Sequence, residues 1–312
     1  GGSPPLAQYI AQHGDYIFLA GSPTYKSRIY WCDLAAPEVW SATNYIDVAE
    51  DDGDYITQIT SFGPGYLVVF KRFSIHVLMG KTENEFRLER VVKGIGCIAP
   101  RSVGHILGGL AFLSRDGVRL FVGDPNPVWL SQPIQPTLDS YNVKRFNKAA
   151  ALVYKHLYML FVADSSSLAN NKVLVLDTRH GQLGAWTIFD NWPVSVGCLF
   201  RQFNEDTPIG GSSVEAMLYE LFKGYSDNGQ PIKFVAETKH FDFGRRDALK
   251  KIRRIKVYSD TSAASDKLTI NQQGAESINY ARYLGLEVTH DTLDTSFSLY
   301  GFDIEYEVGS ER

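Results

Sequence analysis

Several kinds of chemistry are missing from this chain. No apolar run approaches the ~20 residues that a membrane-spanning helix needs, and no strong helical periodicity runs through the sequence. Cysteine is scarce, with three residues in 312: Cys32, Cys97 and Cys198. They lie far apart, each in an apolar stretch, and form neither a CxxC pair nor a His/Cys cluster of metal-ligand spacing. They read as buried free thiols of a chain kept in a reducing compartment. A formal net charge of −4 gives no overall basic field toward nucleic acid or an anionic membrane. No metal, cofactor or membrane span is expected.

What is present points to β-structure. Phe (18) and Tyr (17) are abundant, and 27 Gly supply tight turns. Aromatic and β-branched side chains suit a pleated, half-buried surface. The stretch FLSRDGVRLFVGD (112–124) is an apolar strand, a turn read on Asp116-Gly117, a second apolar strand and an exit at Gly123-Asp124. The same layout recurs in YIFLAGSPTYKSRIYWCDL (16–34), YLVVFKRFSIHVLMGK (66–81) and LYMLFVADSSSLANNKVLVLDT (157–178), and more loosely in AMLYELFKGYSDNGQPI (216–232). Aligned at Phe18, Val69, Phe112, Leu160 and Leu218, the copies are separated by 51, 43, 48 and 58 residues. Those steps lie near the ~40–50 residues of a four-stranded propeller blade.

Each copy also has flanking strand-like sequence. YITQITSF (55–62), RSVGHI (101–106), KAAALVY (148–154) and VSVGCLF (194–200) are expected as first strands. VWSA (39–42), FRLERVV (86–92), AWTIFD (185–190) and KFVAETKHF (233–241) are expected as fourth strands. LDSYNVKRFNKAAALVY is expected to hold one helical turn at most. The expected fold is therefore an all-β propeller of about five or six four-stranded antiparallel blades over 1–244. A generic antiparallel sandwich is the alternative. Residues 245–312 change character and are expected to form a small β-sandwich or an accessory sheet. There Phe302, Ile304 and Tyr306 alternate with Asp303, Glu305 and Glu307, as in a strand with one wet face. The GGSPP start reads as a linker or cut point with more chain upstream, and the end at Arg312 as a second truncation.

Few residues suggest chemistry. The acidic tract Glu50, Asp51, Asp52, Gly53, Asp54 lacks the alternating carboxylates and distal Glu of a calcium loop and reads as a turn with a wet rim. Seven histidines are scattered without HExxH spacing. Gly211-Ser212-Ser213 lacks the strand-to-helix setting of a nucleophile elbow, and Gly94-Ile95-Gly96 lacks the third glycine of a dinucleotide loop. The one strong local charge feature is RRDALKKIRRIK. Its Arg245, Arg246, Lys250, Lys251, Arg253, Arg254 and Lys256 stand against a single Asp. These residues are candidates for contact with DNA phosphates or an acidic partner, the alternative being a charged edge strand that blocks unwanted pairing.

Three phrases carry a family resemblance. VWSATNYIDVAEDDGDYITQITSF (39–62) followed by GYLVVFKRFSIHVLMG (65–80) is similar to a blade of phage virion β-propeller proteins. VVKGIGCIAPRSV (91–103) leading into GLAFLSRDGVRLFVGD (109–124) resembles the next blade. ELFKGYSDNGQPIKFVAETKHFDFG (220–244) and the basic stretch after it look like the closing segment. The likeness covers most of 38–124 and 220–258. It points to the tail hub, nozzle or packaged-DNA stabilization group of short-tailed bacteriophages, whose members are usually longer than this chain.

The resemblance implies a non-enzymatic virion protein, assembled in the host cytoplasm, in a homo-oligomeric ring of usually six subunits. Such a ring surrounds the DNA channel below the portal and adaptor. A host-surface or glycan-binding propeller is the second reading, to be recognised by exposed Trp and Tyr at loop tips. A propeller hydrolase or lyase is the third, requiring convergent carboxylates or histidines.

Overall fold

A computed structural model describes residues 2–180, 184–190, 192, 194–202, 205–212, 214–227, 229–261, 267–273, 280–291 and 297–308. The chain divides into two compact units, Gly1–Leu221 and Phe222–Arg312. The protein is nearly all β, as its composition implies.

Unit 1 is a series of antiparallel meanders. Sheet 1 holds β1 (Tyr9–His13), β2 (Tyr16–Ala20), β3 (Arg28–Trp31) and β4 (Tyr45–Asp47). Sheet 2 holds β5 (Ile56–Phe62), β6 (Tyr66–Lys71), β7 (Ser74–Met79) and β8 (Arg87–Lys93). Sheet 3 holds β9 (Gly104–Ile106), β10 (Gly109–Ser114), β11 (Gly117–Phe121) and β12 (Val128–Trp129). Sheet 4 holds β13 (Ala150–Tyr154), β14 (Leu157–Val162), β15 (Lys172–Asp177) and β16 (Ala185–Phe189). Sheet 5 has three strands, β17 (Val194–Gln202), β18 (Glu205–Ser212) and β19 (Leu218–Glu220). A short helix, α1 (Gln135–Asp139), and a 3₁₀ stretch over Val143–Lys148 connect sheets 3 and 4, slightly more helix than expected.

Tight turns make the meanders. Ile106 pairs with Gly109 across Leu107-Gly108, both at positive φ (49° and 70°), the backbone of a type I′ hairpin. In the hairpin over 112–124, Ser114 pairs with Gly117, so the turn is Arg115-Asp116 and Gly117 opens β11. That shift by one residue corrects the expected Asp116-Gly117 turn.

Sheets 2, 3 and 4 bury both faces. Period-two alternation sends neighbouring residues of one strand into different cores. In sheet 2, Leu67 and Val69 join Phe18, Ile29 and Trp31 of sheet 1, while Val68 and Phe70 join Leu110 and Phe112 of sheet 3. The Phe70 and Phe112 ring centroids are 5.0 Å apart. Ala111 and Leu113 of sheet 3 then meet Tyr158, Leu160 and Leu174 of sheet 4. Met159, Phe161 and Val173 of sheet 4 meet Val194 and Leu221 at sheet 5. Four cores thus join five sheets in sequence order. This double burial explains why the middle strands read as continuous apolar runs rather than as alternating ones.

Polar groups tie neighbouring sheets as well. Tyr158 Oη donates to the Ser102 carbonyl at 2.7 Å, and Asn170 Nδ2 donates to the carbonyls of Lys148 and Ser195 at 3.1 and 3.0 Å. First strands lie beside one another, β1 against β5, β9 against β13 and β13 against β17.

Unit 2 contains a two-residue hairpin, β20 (Ser226–Asp227) with β21 (Gln230–Pro231), and two three-stranded sheets. One has the order β22 (Phe234–Glu237), β26 (Tyr283–His290), β24 (Lys267–Gln273). The other has the order β25 (Tyr280–Ala281), β23 (Lys250–Thr261), β27 (Phe297–Val308). Aromatic contacts link the two, with Phe234 and His290 each 5.1 Å from Phe297. On β27, Asp303, Glu305 and Glu307 are exposed while Phe302, Ile304 and Tyr306 are partly buried, the alternation read from the sequence.

Several expectations need correction. Residues 234–237, expected as a fourth strand of the fifth repeat, pair with β26 of unit 2, so the units part after Leu221 rather than Gly244. The loose copy at 216–232 does not start a hairpin, because Leu218 begins the third strand of sheet 5. The fourth strand of sheet 1 is Tyr45–Asp47 and not 39–42, where Trp40 instead forms an isolated bridge with Gly2. Cys32 and Cys97 are buried free thiols, but Cys198 is exposed. It shares one face of sheet 5 with Val196, Phe200 and Leu218, and among the described residues no further sheet of unit 1 covers that face.

Candidate functional site

The acidic tract is built into the end of sheet 2. Glu50–Asp52 form one 3₁₀ turn, flanked by Ala49 and Gly53 in left-handed conformation. Lys71, at the end of β6, is fully buried beneath it. Its ammonium donates to the carbonyls of Val48 and Ala49 at 3.0 Å each and to Asp52 Oδ1 at 2.6 Å, using all three of its protons. Arg72 Nε donates to Asp54 Oδ1 at 2.8 Å, and the Phe73 N–H to Asp54 Oδ2 at 2.9 Å. Burial alone raises the Asp52 carboxyl, but the bonds from Lys71 and the Asp54 N–H outweigh it and hold the group below its usual range. These carboxylates anchor the β6–β7 hairpin, in keeping with the turn reading.

Next to this turn lies an aromatic surface that the sequence did not single out. Arg28 of β3 bonds Asp47 of β4 through two nitrogens, at 2.7 and 2.9 Å. Its guanidinium stands 4.1 Å from the Tyr25 ring and 3.8 Å from the Tyr45 ring. Arg72 stands 4.3 Å from the Tyr55 ring and 5.2 Å from the Phe73 ring. The four rings are 40–45% exposed. A cavity of about 270 Å³ opens beside them, lined by Gln8, Tyr9, Gly21, Ser22, Pro23, Lys26, Tyr55 and Ile56. The available signal was a tyrosine inside polar turn sequence, as in PTYKS, TNYID and GDYIT.

A second cavity, of about 410 Å³, is lined by Phe62, Gly63 and residues 105–109. It is more apolar, and Leu107 projects beside it at 43% exposure.

The basic run sits in unit 2, on and before β23. Lys250 is fully buried, with its ammonium donating to the carbonyls of Arg245 and, at 3.0 Å, Arg282. Burial lowers its pKa. Arg246 pairs with Asp242 at 3.0 Å and Arg253 with Glu307 at 2.5 Å. The register sets Lys251 opposite Glu307, Arg254 opposite Glu305 and Lys256 opposite Asp303. Arg245 is exposed. The candidates therefore do not converge on one basic patch, because the acidic alternation of β27 faces them rung by rung. Nor is β23 an outer strand at its start, since β25 pairs with Lys250 and Lys251.

The remaining candidates have structural surroundings. Gly94 adopts φ 88°, and a side chain on Gly96 would begin 2.2 Å from the Lys71 carbonyl. Ser212 Oγ accepts the N–H groups of Val214 and Glu215, a turn cap, while Ser213 lies outside the described residues. His76 is buried and shares a hydrogen bond with Ser74 at 3.1 Å; burial first, then Lys71 and Arg90, lowers its pKa to about 4. His13 bonds Ser61 at 3.0 Å. Burial pushes the Cys97 thiol up to about 12. Among the described residues no group of three or more His, Cys, Asp and Glu is placed to hold a metal ion, and no helix is long and apolar enough to cross a membrane.

No family model matches the chain, and no curated protein matches it.

Proposed function

We propose that the chain is a non-enzymatic scaffold of a bacteriophage tail, a β-propeller that assembles into a homo-oligomeric ring around the DNA channel and helps retain or deliver the genome. The observation that carries this reading is the series of five antiparallel meanders joined face to face through four cores, with first strands side by side. A propeller repeats this arrangement about an axis. In it, each sheet is covered on both faces. The exposed faces of the end sheets, with Ile10 on sheet 1 and Val196, Phe200 and Leu218 on sheet 5, are where further sheets continue the series. The three family-like phrases add the virion context. By that resemblance the ring would sit among portal-adaptor and tail proteins, with six copies.

The strongly perturbed groups agree with a scaffold role. Cys97 and Tyr158 are shifted chiefly by burial inside the cores, and the carboxylates at the 50–54 turn hold protein cations. Native mass spectrometry of the full-length protein, together with protein analysis of purified particles, tests the proposal. A closed oligomer and a stoichiometric place in the particle are expected. A stable monomer absent from particles overturns it.

A further inference from the structure

We infer that the tyrosine-walled cleft at the end of sheets 1 and 2 is a site for neutral carbohydrate, which Tyr55 and Tyr9 would receive against their rings.

The cleft is built rather than incidental. Gly21, at φ 76°, makes room for Tyr9: a side chain there would begin 2.6 Å from the Tyr9 ring. Arg72, itself anchored on Asp54, covers one face of Tyr55. The 22–27 loop is tied to the neighbouring sheet by Ser27 Oγ donating to the Asp54 carbonyl at 2.9 Å and by the Ile56 N–H donating to the Lys26 carbonyl at 3.0 Å. Walls held this way need little ordering when a ligand arrives.

The lining selects the ligand class. Two phenol rings offer flat apolar surface, and Gln8, Ser22 and Lys26 offer polar atoms around it. A sugar ring has that same pairing of a C–H face with hydroxyls at its edge. Aliphatic lining is limited to Pro23 and Ile56, which does not suit an acyl chain. The neighbouring guanidinium groups already bond Asp47 and Asp54, which leaves Lys26 as the single cation on the lining and disfavours polyanions, which need several. The half-exposed Tyr25, Tyr45 and Phe73 extend the aromatic surface beyond the cleft, as an oligosaccharide longer than one residue needs.

The test uses the full chain with maltohexaose, cellohexaose, chitohexaose and mannohexaose at millimolar concentration. Saturation-transfer NMR on the unmodified protein is expected to show transfer from aromatic protons to the C–H protons of at least one sugar. Titration calorimetry of that sugar is expected to show about tenfold weaker binding for Tyr55→Ala and for Tyr9→Ala. Tyr55→Phe should retain binding, and Tyr66→Ala, at an exposed tyrosine on the far end of β6 from Lys71, should leave it unchanged. Absence of transfer from all four sugars overturns the inference. So does binding that Tyr55→Ala and Tyr9→Ala leave intact, or binding that heparin displaces. None of these results depends on whether the protein forms a ring.

Discussion

Lys71 shows how one residue ties an acidic turn into the fold. Its buried ammonium has three acceptors, and the Asp52 carboxylate serves the protein's own cation, in keeping with the turn read from the sequence. Lys71→Met would strand two carbonyls and a carboxylate, so it should cost about 3 kcal/mol in urea denaturation. A variant within 1 kcal/mol of the parent, roughly the mean effect of any point mutation, would show that the turn is held otherwise. His76 lies close by and makes stability depend on pH. Its folded pKa of about 4 lies below its ordinary 6.5, so the unfolded chain takes up the proton first. The stabilising effect is complete above pH 6.5 and declines as pH falls toward 4. Asp52, whose folded pKa is also depressed, adds a further loss at lower pH, as its carboxylate is protonated and its bond to Lys71 weakens. His76→Gln should flatten the upper part of that acid slope, as measured by denaturation at a series of pH values. The thiols give a third residue-scale test. Only the exposed Cys198 should react quickly with a thiol reagent in the native protein, with Cys32 and Cys97 reacting after denaturation. Fast reaction at all three would contradict the core assignments.

At the scale of elements, Gly96 marks where strands crowd. Its Cα faces the Lys71 carbonyl so closely that Gly96→Ala must displace backbone, and a loss of about 2–3 kcal/mol in chemical denaturation is expected. The β23–β27 ladder gives the second test. If Asp303 and Glu305 mask the cations opposite them, Asp303→Asn with Glu305→Gln should raise duplex-DNA affinity at low salt, with the gain lost as salt rises. Unchanged binding would show that the basic run has no access to phosphates. Much of this level was legible in the sequence. Phe18, Val69, Phe112 and Leu160 fall in the second strand of four successive sheets, because a hairpin buried on both faces leaves a dense apolar signature. Sheet 5 broke the pattern. Its second strand, EDTPIGGS, carries two acids, a proline and two glycines, so the apolar signal moved on to Leu218. The short strands 9–13 and 128–129 have too little apolar sequence to stand out. The aromatic cleft was hidden for another reason, since its residues come from three separate stretches of chain and meet only in the folded protein.

At the scale of the molecule, the repeated sheets explain why no single residue dominates. Each core is shared by two sheets, so stability spreads along the series and loops at the sheet ends are free to vary. The Tyr55 cleft, the 50–54 turn and the Leu107 hairpin all lie at such ends. Cryo-electron microscopy of the purified full-length protein tests the central claim most directly. A closed ring of identical subunits around a central channel is expected, each subunit holding radially arranged four-stranded sheets. Isolated monomers, or subunits whose sheets stack as a two-layer sandwich, would contradict it.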